Sequence, residues 1–186
     1  MAGEIDDAIE RADREAFTRQ PPKTLQARIN FLMKQLKTTK AIAAELGVSQ
    51  RSVERYRKGE RKHPPKAIAD RIDDAVRQRW QPQVRKRRQK HAATTRGITV
   101  ETRARFGYTA PVGTTDDGRF RRLTVHLPPA YAQRLFDARN TGASDQHMRA
   151  IIAEGLKEIY FQDGGTRATG LTDVTLNDID YLDLDY

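Results

Sequence analysis

The sequence is distinguished first by what it lacks, and each absence removes a class of function. It has no cysteine among 186 residues, which rules out disulfide bonds, thiolate metal sites and a cysteine nucleophile. Its four histidines, at positions 63, 91, 126 and 147, show no close metal-ligand spacing. No apolar run approaches a membrane span, and the acidic start MAGEIDDAIERAD lacks the hydrophobic stretch of a signal peptide. We therefore expect a cytoplasmic protein without a membrane span or an intrinsic cofactor.

Positive charge is abundant but unevenly distributed along the chain. The net charge is +9, yet residues 1–96 carry +12, residues 97–162 carry +2 and residues 163–186 carry −5. A basic N-terminal half indicates a polyanionic partner, and an acidic C-terminal segment indicates a competitor for that surface or a partner-binding segment. A highly solvated surface would explain the total charge but not its concentration in one half.

The stretch TKAIAAELGVSQRSVERY, residues 39–56, predicts a helix, a tight turn and a second helix. Ile42 and Leu46 share one helical face, Gly47 allows a turn with positive φ, and Ser49 is placed to cap the next helix. This pattern resembles the helix-turn-helix of DNA-binding proteins, whose second helix enters the major groove; an ordinary helical hairpin is the other interpretation. The residues expected to contact DNA here are Ser49, Gln50, Arg51, Ser52, Arg55, Arg57 and Lys58.

A second basic segment, QVRKRRQK at residues 83–90, follows a predicted helix that begins at Lys66. Its cations surround the helical cylinder and leave little apolar surface to bury, so the segment is expected to be an exposed arm. Such an arm would bind phosphate by displacing counterions; a solvated helix without a DNA role is the alternative. The arm residues expected to bind DNA are Arg85, Lys86, Arg87 and Arg88. We expect residues 1–92 to form a helical, helix-turn-helix DNA-binding domain that includes this arm.

After an expected linker at residues 93–97, the sequence changes from helical periodicity to strand-like alternation. Apolar and polar residues alternate over 98–106 and 119–127, and the pair of prolines at 128 and 129 starts the first of two further helices. We therefore predict a mainly α protein with a small α+β unit at residues 98–162. The second strand and its helices resemble a ribbon-helix-helix module, in which two chains pair as a homodimer and outward strand residues, here Arg122, Thr124 and His126, face the major groove. An intramolecular β-hairpin is equally compatible with the pattern.

The acidic tail, residues 163–186, ends in TLNDIDYLDLDY, where acids alternate with Leu, Ile or Tyr. Such a segment can add to a sheet as an edge strand, mimic a polyanion or remain disordered.

The loop between the two strands, residues 108–119, places hydroxyl groups beside carboxylates. Thr114 and Thr115 precede Asp116 and Asp117 between two glycines. On composition alone this is a hairpin tip, because Asp and Gly favour turns. The functional alternative is a nucleophilic threonine hydroxyl, which needs a base or a metal that the carboxylates or a partner enzyme could provide.

Several segments in a fixed order carry a resemblance that spans almost the whole chain: TKAIAAELGVSQRSVERY, RQRWQPQVR, VETRARFGYTA, TTDDGR, LTVHLPPAYAQRLFDA, AEGLKEIYF and the acidic end. This order resembles the telomere-protecting terminal proteins, the Tpg family, of linear bacterial chromosomes and plasmids, and RWQPQVR and VETRARFGY are its more specific parts. The resemblance implies a protein that binds telomeric DNA at a 3′ overhang or terminal palindromes and becomes linked to the 5′ end through a threonine hydroxyl. It would prime the synthesis that fills the terminal gap and would not itself be an enzyme.

By the same resemblance, a partner DNA polymerase makes the bond and a telomere-associated protein helps to recruit the chain to the nucleoid DNA end. The nucleotide acceptor then falls on Thr114 or Thr115, and the resemblance leaves open which of the two it is. Asp116 and Asp117 are helpers by position, where they could hold Mg²⁺ supplied with the deoxynucleotide.

Two other functions compete with this interpretation. A transcription or partition regulator would use the helix-turn-helix and a dimeric ribbon to bind an internal palindrome reversibly, without a covalent adduct. A tyrosine-type strand-transfer enzyme would use Tyr108 or Tyr160, but no Arg–His–Tyr constellation accompanies them.

Overall fold

The computed structural model describes residues 3–109 and 119–186, and over these ranges the chain forms eight α-helices and three β-strands. The chain is mainly helical with a small antiparallel sheet, which confirms the prediction of a mainly α protein. Helices α6 and α8 each continue into one wider, π-helical turn, at Ala92–Arg96 and Lys157–Phe161. In chain order the elements are α1 (Glu4–Glu15), α2 (Leu25–Leu36), α3 (Thr39–Leu46), α4 (Gln50–Lys58), α5 (Lys66–Arg79), α6 (Pro82–His91), β1 (Ile98–Thr109), β2 (Arg119–Leu127), α7 (Pro129–Asn140), α8 (Asp145–Leu156) and β3 (Asp173–Asp185).

The chain divides into two compact units, a helical unit of residues 17–83 and a sheet unit of residues 1–16 and 84–186. This division differs from the expected linker at 93–97, which instead extends α6 beside the buried Ala92. Helix α1 also belongs to the sheet unit, because Ile5 and its apolar neighbours are buried in the same core as the strands. The boundary between the units therefore follows from which core buries each helix. It does not coincide with the change from helical to strand-like periodicity in the sequence.

The helical unit consists of α2 to α5 packed around one apolar core. Side chains at helical spacing, among them Leu32, Ile42 and Ile72, are fully or almost fully buried there. Trp80 closes the unit: its ring lies edge-on to Phe31 with centroids 5.1 Å apart, and its indole N–H donates to a main-chain carbonyl at 2.9 Å.

The sheet unit contains an antiparallel sheet, described in the order β2-β1-β3. One face buries alternating apolar residues, with Val100 paired to Val125 on one side and to Leu184 on the other. This face shares its core with α1, α7 and α8. Strands β1 and β2 pair directly, so the intramolecular hairpin is formed, and β2 is left as one edge of the sheet.

The acidic tail forms the other edge strand, β3, which was one of its three predicted states. Its apolar residues face the core, whereas its aspartates face outward, so the alternation in the sequence was a strand signal. Several aspartates lie beside arginines of the same unit: Asp180 near Arg103 at 2.7 Å, Asp183 near Arg11 at 3.1 Å, and Asp185 near Arg88 at 3.0 Å and Arg96 at 3.1 Å.

Candidate nucleic-acid interface

The turn between α3 and α4 is built as the sequence predicted. Gly47 ends α3 with φ of +64°, and the N–H of Val48 donates to the carbonyl of Ala43 at 3.0 Å. The Arg71 guanidinium, from α5, donates to the carbonyl of Leu46 at 3.0 Å, which satisfies an otherwise unpaired helix end. A side chain at position 47 would be strained by the backbone and would also meet this guanidinium.

The first turn of α4 has a side-chain cap that fixes its outward face. Ser49 Oγ accepts a hydrogen bond from the N–H of Ser52 at 3.2 Å, so Ser49 is an N-cap. Val53 and Tyr56 are buried, which turns the opposite arc of the helix to solvent. That exposed arc carries Gln50, Arg51, Glu54, Arg55, Arg57 and Lys58, while Ser52 is half-buried. The DNA-contact residues predicted on α4 are therefore exposed, with Ser52 the exception.

The two units differ sharply in charge. The helical unit has 16 Lys and Arg against 6 Asp and Glu, a net charge of +10, whereas the rest of the chain has 18 against 19, a net charge of −1. Of the +12 in residues 1–96, the helical unit thus carries +10. A compact unit with this charge attracts a polyanion at long range.

Within the helical unit, the positive charge is divided between two stretches, residues 17–49 and residues 50–62. Three acids pair with arginines of α2 or α5: Asp73 with Arg28, Asp74 with Arg77 at 3.8 Å, and Glu45 with Arg79 at 2.7 Å. By contrast, residues 50–62 carry six Lys and Arg against two Glu. Of these two, Glu60 lies 3.8 Å from Arg55 and 4.0 Å from Lys58 in exposed pairs, which stabilise little. Residues 50–62 thus carry +4 of the unit's net charge of +10, and residues 17–49, with six Lys and Arg against one Glu, carry +5.

The basic segment of α6 has a different environment from the one expected. Arg85 is only 8% exposed, and its guanidinium lies 3.0 Å from the Glu10 carboxylate. Arg88 donates to the carbonyl of Ala12 at 3.0 Å, and its guanidinium also lies over the Tyr186 ring. The prediction of an exposed arm is thus wrong for Arg85 and Arg88. It rested on the absence of acids within the segment, whereas the acids that pair with these arginines come from segments far away in the sequence. Lys86 and Arg87 are exposed on the same helix.

A buried polar network explains why α6 needs these arginines. Asp13 on α1 is fully buried, accepting hydrogen bonds from the Tyr186 hydroxyl at 2.6 Å and from Gln89 at 3.0 Å. Burial raises the pKa of Glu10, but the hydrogen bonds and charges of Arg85 and Arg139 outweigh it and hold that pKa below its ordinary value. Burial, with the nearby Asp13 charge, raises the pKa of Tyr186. The network joins α1, α6, α7 and β3, and it is structural.

The predicted acceptor residues Thr114 and Thr115, with Asp116 and Asp117, lie outside the described residues. The neighbouring strands are described up to the pair Phe106 and Arg119, so residues 110–118 connect antiparallel neighbours at one end of the sheet.

Aromatic side chains cluster at this same end of the sheet. The Phe161 ring lies edge-on to those of Tyr108, at 5.1 Å, and Tyr160, at 5.0 Å, and the Arg121 guanidinium lies 5.9 Å from the centroids of Tyr108 and Phe161. Burial raises the pKa of Tyr108, and Tyr160 raises it further, although Arg121 opposes both. A raised pKa makes the Tyr108 hydroxyl a weaker nucleophile near neutral pH. Sequence reasoning missed Phe161 and Arg121: within this cluster only Tyr108 and Tyr160 were considered, as candidate nucleophiles.

Comparisons with known proteins add no relative: no family model matches the sequence, and no curated protein or solved structure matches it significantly. Within residues 3–109 and 119–186, no helix combines the length and apolar character that crossing a membrane requires.

Proposed function

We propose that the chain is a DNA-binding protein in which α3 and α4 form a helix-turn-helix, with α4 placed in the major groove. The observation that carries this proposal is the arc of α4 that exposes Gln50, Arg51 and Arg55, in a unit of net charge +10. Side chains of these types recognise base edges and phosphates. The capped start of α4 supports the same role, because base contacts come from the first turns of a recognition helix.

Duplex binding by the full chain tests this proposal. Replacing Arg51→Gln or Arg55→Gln should weaken binding to the preferred duplex about 5- to 100-fold, as loss of a base or phosphate contact does. Arg77→Gln is the matched control, since it removes the same charge from a side chain that already lies near Asp73 and Asp74. Equal losses in all three variants would show general electrostatic attraction and would refute α4 as the recognition helix.

We further propose that this DNA-binding protein is a telomere terminal protein and protein primer. The chain-wide order of motifs supports this, together with an acceptor segment that joins two strands at one end of the sheet. A Thr114 or Thr115 oxygen attacks the α-phosphorus of a deoxynucleoside triphosphate held by the polymerase. A phosphoester bond forms, pyrophosphate leaves, and the hydroxyl proton passes to a base or to metal-bound hydroxide. Asp116 and Asp117 help to hold Mg²⁺ that arrives with the nucleotide.

The covalent product gives a direct test. Protein is isolated from cells under denaturing conditions, its DNA is trimmed with nuclease, and the tryptic peptide 106–119 is examined by mass spectrometry for an attached nucleotide. The double variant Thr114→Ala/Thr115→Ala should lose attachment while keeping duplex binding, and the single variants should identify the acceptor. Attachment that persists in the double variant would move the acceptor to another hydroxyl.

A reversible regulator of the ribbon-helix-helix type is the second candidate. It is favoured by β2, an edge strand whose outward side chains Arg122, Thr124 and His126 are exposed. Two chains could pair their β2 strands as a homodimer and bind a palindrome. This candidate predicts a dimer in sedimentation experiments and no nucleotide on any peptide; an adduct would exclude it as the whole function.

A further inference from the structure

Two exposed aromatic side chains mark a surface that the proposed duplex contacts do not use. Among the described residues, the large apolar side chains that are exposed are Phe120, at 53%, and Tyr160, at 43%. Single exposed apolar side chains are common, but these two lie at the same end of the sheet. Phe120 is the second paired residue of β2, opposite Arg105, and Tyr160 contacts Phe161 next to the end of β1.

Arginine side chains accompany both aromatic groups. The Arg103 guanidinium lies 5.8 Å from the Phe120 ring centroid, and Arg121 lies 5.9 Å from the ring centroids of Tyr108 and Phe161. Among the described residues, none of the ion pairs involves Arg121, whereas Arg103 also pairs with Asp180. Arg121 therefore presents a positive charge, fixed against aromatic rings, that no carboxylate of the described chain balances.

Successive side chains of β2 point to opposite faces of the sheet, so the aromatic and arginine side chains lie on both faces at this edge. Phe120 points to the outward face, whereas its neighbour Arg121 points to the face that carries Phe161. Beneath this surface, Phe161 packs edge-on to the fully buried Phe106 at 5.6 Å, so the rings rest on the core. An extended strand that crosses this edge would meet aromatic rings and cations alternately.

We propose that this aromatic–arginine surface, formed by Arg103, Phe120, Arg121, Tyr160 and Phe161, binds single-stranded DNA. Bases stack on Phe120 and Tyr160, and phosphates contact Arg121. Stacking on exposed rings beside cations is how proteins hold single strands without reading sequence. Two exposed rings favour a strand of several nucleotides over a free nucleotide, and the accompanying arginines favour a polyanion over another protein. The inference rests on the proposed function, since it places a single-strand site beside the segment that carries the acceptor.

Fluorescence anisotropy with the full chain tests the proposal. The probes are a labelled single strand of about 12 nucleotides, in the range of known single-strand sites, and a hairpin duplex of the same sequence. Phe120→Ala and Tyr160→Ala should each weaken single-strand binding about 5- to 100-fold and leave duplex binding unchanged. Tyr160→Phe keeps the ring and should therefore retain most of the single-strand binding.

Two arginine variants, one in the surface and one outside it, supply the matched control. Arg121→Gln should weaken single-strand binding, whereas Arg134→Gln should not, although Arg134 also lies over an aromatic ring, that of Tyr131 at 5.4 Å. Arg121 is exposed, so this variant keeps the test valid if an aromatic variant fails to fold.

Three outcomes would overturn the proposal. Single-strand affinity that is unchanged in Phe120→Ala/Tyr160→Ala would refute it. Competition by a deoxynucleoside triphosphate as strong as that of the oligonucleotide would make the surface a mononucleotide site. Self-association that the double variant abolishes, with strand binding intact, would make it a protein interface. Nucleotide attachment to peptide 106–119 is measured separately, so its absence beside normal strand binding would refute the primer function and not this surface.

Discussion

Removing the Tyr186 hydroxyl tests whether the buried polar network holds the sheet unit together. Tyr186 is 1% exposed, and its hydroxyl donates to the fully buried Asp13 carboxylate at 2.6 Å. The variant Tyr186→Phe removes that donor alone. The ring keeps its edge-on contact with Phe136, at 5.0 Å between centroids, and its place beneath the Arg88 guanidinium, also at 5.0 Å.

The expected loss follows from the charge on Asp13. A hydrogen bond to a charged group contributes about 1.5–3 kcal/mol to the free energy of unfolding. Asp13 keeps Gln89 at 3.0 Å and Arg139 at 3.5 Å, so we expect the lower part of that range, about 2 kcal/mol. The sheet unit has 119 residues. Its unfolding entropy is then about 0.25 kcal/mol per kelvin, and its Tm should fall by about 8 °C.

Two optical probes separate the units in this experiment. The single tryptophan, Trp80, lies in the helical unit, whereas far-UV circular dichroism reports both units. Tyr186→Phe should therefore lower the midpoint of one circular-dichroism transition and leave the fluorescence transition in place. Tyr181→Phe is the matched control: this hydroxyl also donates to a carboxylate, that of Glu101 at 3.2 Å, but at a half-buried site where water can replace it, so the cost should be less than about 0.5 kcal/mol. A change below that value in Tyr186→Phe, or equal shifts by both probes, would refute the reasoning.

Three further predictions follow from other contacts. Gly47→Ala should destabilise the helical unit by about 1–2 kcal/mol, because φ is positive there and the Arg71 contact is disturbed; an unchanged urea midpoint by fluorescence would contradict this. The pKa of Glu10 is below its ordinary value of 4.5, so its stabilisation is complete above that value and is lost as pH falls through the folded pKa. Acid titration of the sheet unit should show this loss, and Glu10→Gln should remove it. Arg85→Gln should cost about 3 kcal/mol, the lower end for a broken buried ion pair, because Arg139 still lies 2.9 Å from Glu10; duplex affinity should change less than about 3-fold. Unchanged stability with a large loss of duplex affinity in Arg85→Gln would instead show that Arg85 contacts DNA.

The sequence was most informative where structure is local. Gly47 and Ser49 predicted the turn between α3 and α4, because a positive φ and a side-chain cap depend on the nearest residues. Alternation predicted β1 and β2 for the same reason, since each side chain of a strand faces its side of the sheet whatever the partner.

The remaining features depend on contacts between distant segments. Arg85 reads as one more exposed cation until Glu10, 75 residues away, is placed beside it. The alternation in residues 173–185 was visible, but a strand forms only when β1 offers an edge, and one sequence does not show which edges are free. The aromatic–arginine surface likewise combines β1 and β2 with the turn after α8, so no local pattern in the sequence linked its residues.

The helical unit is inserted into the sheet unit, and this order of segments bears on how the chain folds during synthesis. The contacts of α2 to α5 join residues that leave the ribosome close together, so this unit can complete its core early. The core of the sheet unit, which includes α1, stays incomplete until residues 173–186 have been synthesised, because β3 pairs with β1 and Tyr186 donates to Asp13. Synthesis therefore makes the positively charged unit available first, while the segments that form the sheet are still incomplete.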